Sequence, residues 1–238
     1  MNATQLFREG KLAEAIQALG AELRGNPADA QRRTFLFELL CFAGEYERAQ
    51  KMLEVLAGGS PDSATGALLY HAALHAERER QQLFEKREYP PDTTGDEPIS
   101  GTLNGNPFET IEDADPRVGR RLEVFAAGNF LWIPMKNIAS MEMRPPKRLR
   151  DLLWAPAVIK PGPEMQAMEL GEILTPALAP LTWRSEDDEV RLGRATVWEE
   201  DEEGVEIPLG QKMLLVDDEE FPYLEVRQLV INRGSAES

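Results

Sequence analysis

Hydrophobic positions in the first third of the chain fall at helical spacing. Phe35, Leu36, Leu39, Leu40 and Phe42 form one broad apolar face, and Ala49, Met52, Leu53 and Leu56 form another on the segment that follows. These faces belong to a repeat: Leu6, Gly10, Leu12, Ala15, Leu19 and Pro27 recur as Leu40, Gly44, Tyr46, Ala49, Leu53 and Pro61, each 34 residues later. In each unit the glycine ends a first helix, the small alanine lets a second helix pack closely against it, and the proline opens the next unit. The pattern predicts two helix-turn-helix units. One further period lands on Arg78 and Leu83, so the repeat has decayed there. Residues 63–88 are expected to form a long capping helix with a charged end, closing a core that a short array would leave exposed.

The texture changes after this helix. Residues 89–110, YPPDTTGDEPISGTLNGNPFET, are dense in Pro, Gly, Thr and Asn without apolar periodicity and mark a boundary. Beyond it, RRLEVFAAGNFLWIPM reads as two strands around a Gly-Asn turn. RLGRATVWEEDEEGVEIPLGQKMLLV reads as strands interrupted by acidic turns, and FPYLEVRQLVI as a closing strand. Helical periodicity is weak there except at Met135–Met141 and Lys147–Leu153. The expected fold class is α+β. Residues 1–90 form an α-α superhelix whose spacing and residue types resemble tetratricopeptide repeats, 91–110 a linker, and 111–238 a strand-rich, barrel-like domain.

Composition supports a packed core, with 42% hydrophobic and 29% charged residues. The start, MNATQLFREGKLAEA, lacks a basic and then apolar signal pattern, and no segment reaches the roughly 18 apolar residues of a membrane span. Cys41 is the single cysteine, which excludes an intrachain disulfide and fits a reducing compartment; the cytoplasm is expected. Net charge is -16, and residues 1–90 hold 11 basic and 13 acidic side chains against 15 and 29 in the remainder. Such a field repels phosphate backbones, so neither nucleic acid nor an anionic membrane is expected as a partner, and a protein is.

Candidate chemistry is sparse. His71 and His75 in HAALH stand one turn apart, good geometry for two metal ligands, but Ala72 occupies the place of a zinc peptidase's glutamate and the chain has no third histidine. The acidic runs 186–189, 199–203 and 217–220 lack the ligand alternation of a calcium loop and read as solvated turns able to steer a basic partner. Arg144, Lys147, Arg148 and Arg150 are the basic concentration of the acidic half, expected to pair internally or to meet an acidic protein. Trp132, Trp154, Trp183 and Trp198 are expected as core anchors of the second domain. No phosphate loop, nucleophile elbow or family-like order of Ser, His and acid appears, and Cys41 reads as structural. No catalytic residue, metal or cofactor is expected. The rival readings are a metal-dependent hydrolase using Asp187, Asp217 and Asp218, and a self-assembling structural protein.

Three long strings carry a more specific resemblance: DADPRVGRRLEVFAAGNFLWIPMKNIASMEMRPPKRLRDLLWAPA, VRLGRATVWEE and GQKMLLVDDEEFPYLEVRQLVI. In this order, and behind the repeats, they resemble the ImpE family, also called TagJ or SciE-type, of accessory proteins encoded with bacterial type VI secretion systems. The resemblance implies a non-enzymatic accessory of the contractile machine. It also implies two protein partners: the small sheath subunit TssB, engaged through one of its helices, and the ClpV ATPase that disassembles contracted sheaths. A monomer or weak dimer is expected. Stacked helix pairs leave a concave groove able to accept an amphipathic helix. By register with the repeat, that groove should be lined by Thr34, Glu38 and Cys41 from one helix and Leu68, Ala72 and His75 from the next.

Overall fold

The glycines of the 34-residue repeat fix where its helices stop. α1 (Ala3–Arg8) opens on a capping box in which Asn2 accepts from the Gln5 amide and Gln5 accepts from the Asn2 amide. It ends at Gly10, whose φ of +76° is a left-handed conformation that favours glycine. α2 (Leu12–Gly25) returns against it with Leu12 and Ala15 fully buried. α3 (Ala30–Phe42), capped by the Asp29 carboxylate on the Arg32 amide, repeats the plan and ends at Gly44, φ +70°. α4 (Tyr46–Ala57) then buries Ala49 and Leu53. The third helix of this type, α5 (Pro61–Lys86), has Arg78 where a turn glycine would fall, so it runs on unbroken for 26 residues. That continuation carries Arg80, Gln81 and Phe84 into the second half of the molecule. The computed structural model describes residues 1–59, 61–91, 94, 95, 97–165 and 170–232. Parts of the expected linker (92, 93 and 96) and of the C-terminal domain (166–169 and 233–238) lie outside the described residues.

The second half is antiparallel throughout. Its strands are β1 (Gly101–Leu103), β2 (Asn106–Phe108), β3 (Ile111–Asp113), β4 (Arg121–Ala126), β5 (Asn129–Pro134), β6 (Ile138–Met143), β7 (Trp154–Pro161) and β8 (Glu172–Pro176). After the short α6 (Asp188–Arg191) come β9 (Thr196–Glu200), β10 (Glu206–Gly210), β11 (Met213–Val216), β12 (Glu219–Pro222) and β13 (Gln228–Ile231). Eight strands form one sheet in the order β2-β1-β13-β6-β7-β8-β4-β5, three form a second in the order β12-β11-β3, and β9 pairs with β10 alone. The two larger sheets share a core in which Ile111 and Leu214 meet Leu122, Val124, Met141 and Leu229.

Several local expectations change. The stretch 101–108, read as linker, pairs through β1 with β13 and so belongs to the large sheet. The β4–β5 turn is Ala127-Gly128, both with positive φ as a tight hairpin needs, which leaves Asn129 paired with Ala126 one residue later than the Gly-Asn reading placed it. The helical periodicity in this half resolves into 3-10 turns at Met135–Asn137 and Leu149–Leu152. At the β5 edge, α5 lies along the strand and Glu79 accepts from the Phe130 amide at 3.4 Å, so a helix covers what would be an open sheet edge. Among the described residues no helix is long and apolar enough to cross a membrane.

Candidate functional site: the seam and the cleft beside it

The face of the repeats predicted to receive a partner is covered at its centre by the chain's own second half. Trp154 is buried against Phe37, ring centres 6.2 Å apart, and donates its indole N–H to Glu77 at 2.9 Å. Leu153, Leu192 and Phe125 join the same apolar cluster as the helices. The space left in this seam is about 20 Å³, bordered by Cys41, Tyr46, Glu77, Arg80 and Trp154. Cys41 is 4% exposed, and burial pushes its thiol well above the usual range. Glu38 is 9% exposed and lies 3.5 Å from the Tyr70 hydroxyl; burial pushes its carboxyl up to about 7 against the pull of Arg150. These two residues therefore leave the predicted groove: Leu153, Trp154 and Leu178 close over Cys41, and Tyr70 and Arg150 stand at Glu38. Thr34 is half-buried and donates to the Ala30 carbonyl at 3.0 Å.

The tryptophans likewise change role. Trp154 belongs to the helix-facing cluster, Trp183 donates to Gln81 of α5 at 3.3 Å, and Trp132 packs on Phe84 with Arg121 3.8 Å above its ring. They anchor the two halves to each other, whereas Trp198 is half-buried on the β9–β10 hairpin.

Residues 183–194 run along the turns of both repeats. Arg191 donates to the Ala43 carbonyl at the end of α3, and Arg194 donates to the Phe7 and Arg8 carbonyls at the end of α1. Asp188 accepts from the Ala13 amide at the start of α2 at 3.2 Å. Helix ends leave such groups without intrahelical partners, and here the strand-rich half satisfies them. The turn glycines admit this close approach: a Cβ at Gly44 would meet the Trp183 ring at 2.6 Å, and one at Gly10 would meet the Glu189 carboxylate.

A buried charge cluster ties α5 to four strand-half segments. Arg80, 1% exposed, donates to both Glu123 oxygens (2.8 and 2.9 Å), to Glu77 at 3.2 Å and to the Leu178 carbonyl at 3.0 Å. Lys212 contacts Glu123 and lies 2.7 Å from Asp113. Burial alone would raise the Glu123 carboxyl, but Arg80 and then Lys212 outweigh it and hold it at about 2. Two cations thus face three carboxylates, and burial pushes the surplus one, Asp113, up to about 7. Every member is nearly sealed from solvent, so the cluster is suited to fixing the halves together and not to meeting a substrate. Two acids of the rival hydrolase reading are spent on backbone: Asp217 accepts from the Glu109 and Thr110 amides at 2.8 Å and Asp187 caps α6; the third, Asp218, stands beside Asp217 at a positive-φ turn position. Among the described residues no three His, Cys, Asp or Glu side chains gather as a metal set.

The other three predicted groove residues face outward. Ala72 lines a cleft of about 380 Å³ with Leu69, Tyr70, Phe125, Gly128, Arg150 and Ile173, between the first half of α5 and strands β4, β7 and β8. Leu68 is 69% exposed, and His75 is exposed and 3.5 Å from Glu79. The basic cluster borders the same side: Arg150 stacks on Tyr70 at 5.0 Å, while Arg144, Lys147 and Arg148 are exposed.

Two helical repeats capped and sealed by a sheet-bearing half of the same chain define a repeat protein docked onto itself. Residues 6–74 match the tetratricopeptide repeat family. Residues 105–230, just over half of the chain, match the ImpE protein family, and the chain belongs to it. It is 30% identical to the type VI secretion system accessory component TagJ of Pseudomonas aeruginosa, an alignment covering 96% of this chain and 90% of the relative. A protein of Vibrio parahaemolyticus known from its crystal structure shares the fold, with TM-score 0.85 over 98% of each chain at 22% identity.

Proposed function

We propose that this chain is a non-enzymatic accessory protein of a bacterial type VI secretion system, working in the cytoplasm as an adaptor. It binds the small sheath subunit TssB through a helix of that subunit and is linked to ClpV-dependent sheath disassembly. One observation carries the reading: the similarity to TagJ runs through both the repeats and the strand-rich half. The consumption of Asp187, Asp217 and the buried acids in structural bonds favours an adaptor over a hydrolase. The inner face of α3 is not the contact, because Cys41 and Glu38 are covered in cis. Titration of the purified full chain with the small sheath subunit tests the reading. Binding tighter than about 100 µM is expected, and none at that concentration removes this partner.

A further inference from the structure

A trough runs from the first half of α5 across β8 and β7 to β6. Its larger end is the 380 Å³ cleft; its smaller end, about 230 Å³, is bordered by Arg144, Val158 and Arg227. Pro156 and Glu172 line both ends, so the two adjoin. Large apolar side chains stand open to solvent at each end: Leu69 is 66% exposed and Val158 42%. Such open apolar surface marks a contact site.

Two further features narrow the occupant. The first is charge. In a chain of net charge -16, Arg144, Arg150 and Arg227 line this trough and Lys147 and Arg148 are exposed on the adjoining loop. Among the described residues three acids line the same trough: Asp151, which accepts from the Lys147 and Arg148 amides, Glu142, 3.9 Å from Lys160, and the exposed Glu172; the five basic side chains outnumber them, which leaves the Arg144–Arg148 side basic. The second is backbone. β7 pairs with β6 on one side and β8 on the other, and β8 meets β4 at Leu174 opposite Phe125, so among the described residues the floor offers no strand edge longer than a few residues. An extended peptide added as a strand would find few backbone groups to bond, whereas a helix satisfies its own backbone and needs only side-chain contacts.

We propose that this trough receives an amphipathic helix of another protein, its apolar face on Leu69, Phe125, Pro156 and Val158 and an acidic edge toward Arg144, Lys147 and Arg148. The proposal rests on the adaptor reading above and assigns its docking surface. The test titrates the small sheath subunit into the full chain and into three variants: Leu69→Asp, Arg144→Glu/Arg148→Glu, and a charge-matched control on the repeats, Arg24→Glu/Lys51→Glu. All five positions are exposed, and unchanged melting temperatures confirm folding; Leu69→Ser replaces Leu69→Asp if that variant melts early. The first two variants are expected to bind at least about 10-fold more weakly and the control within about 2-fold. Raised salt should weaken the wild type more than Arg144→Glu/Arg148→Glu. Undiminished binding by both trough variants overturns the trough and leaves the adaptor reading standing. Loss in Leu69→Asp alone overturns the acidic edge, and no binding by the wild type overturns both readings.

Discussion

Replacing Arg80 with methionine removes the cation that joins the helical repeats to the strand-rich half while keeping most of the side chain's bulk. In the folded protein Glu123 then retains only Lys212, and Glu77 keeps Trp154 and Gln81. Breaking a buried ion pair on one side costs about 3–5 kcal/mol, because the remaining charge stays desolvated. At about 2–4 °C per kcal/mol for a chain of this size, the melting temperature should fall by about 6–20 °C. Arg80→Met/Glu123→Leu leaves Lys212 beside Asp113 and restores the balance, so its cost should be well below the sum of the two single changes. Urea unfolding followed by far-ultraviolet circular dichroism and by tryptophan fluorescence reads both halves at once, and the two probes should move together. A cost for Arg80→Met below about 1 kcal/mol, or transitions that separate in the wild type, would refute the view that this cluster binds the halves into one cooperative unit.

Gly44→Ala should destabilise by about 1–3 kcal/mol, since it combines a left-handed backbone with a Cβ driven into the Trp183 ring; an unchanged urea midpoint would contradict the close approach. Stability should also depend on pH in two windows. Glu38 and Asp113, raised from 4.5 and 3.8 to about 7, favour the fold while protonated, so their contribution is complete below those ordinary values and fades as pH rises through about 7. Glu123, held at about 2, contributes above its ordinary 4.5 and loses that contribution as pH falls toward 2. Glu38→Gln should flatten the decline in urea midpoint between about pH 4.5 and about pH 7, and an identical profile would show that Glu38 does not titrate there.

The repeat was legible because its signal is local: Gly10, Ala15 and Gly44 act within one or two turns of where they stand. The decayed third period was equally legible, as Arg78 in place of a glycine does prolong α5. The covering of the groove was not, because Trp154, Trp183, Arg191 and Arg194 lie 77 to 187 residues along the chain from the residues they bond. A hint was present in the run Arg80-Gln81 beside Phe84, polar groups on a helix face that otherwise buries Leu74 and Ala76. The hairpin at 101–108 was hidden for a related reason. Gly101, Asn104 and Gly105 announce turns, while the strands themselves are three residues long and gain their order from β13 at the other end of the chain. Thr34, Glu38 and Cys41, spaced i, i+4 and i+7, share one stripe of α3. What periodicity could not supply was the identity of the surface opposite.

The contacts of residues 183–194 with both repeat turns also set a limit on growth. Open helical arrays lengthen readily, since each added hairpin needs only its predecessor. Here a third hairpin would have no arginine waiting at its turn, and it would push α5 off the β5 edge it shields. The strand-rich half thus acts as a template that counts the repeats and stops at two.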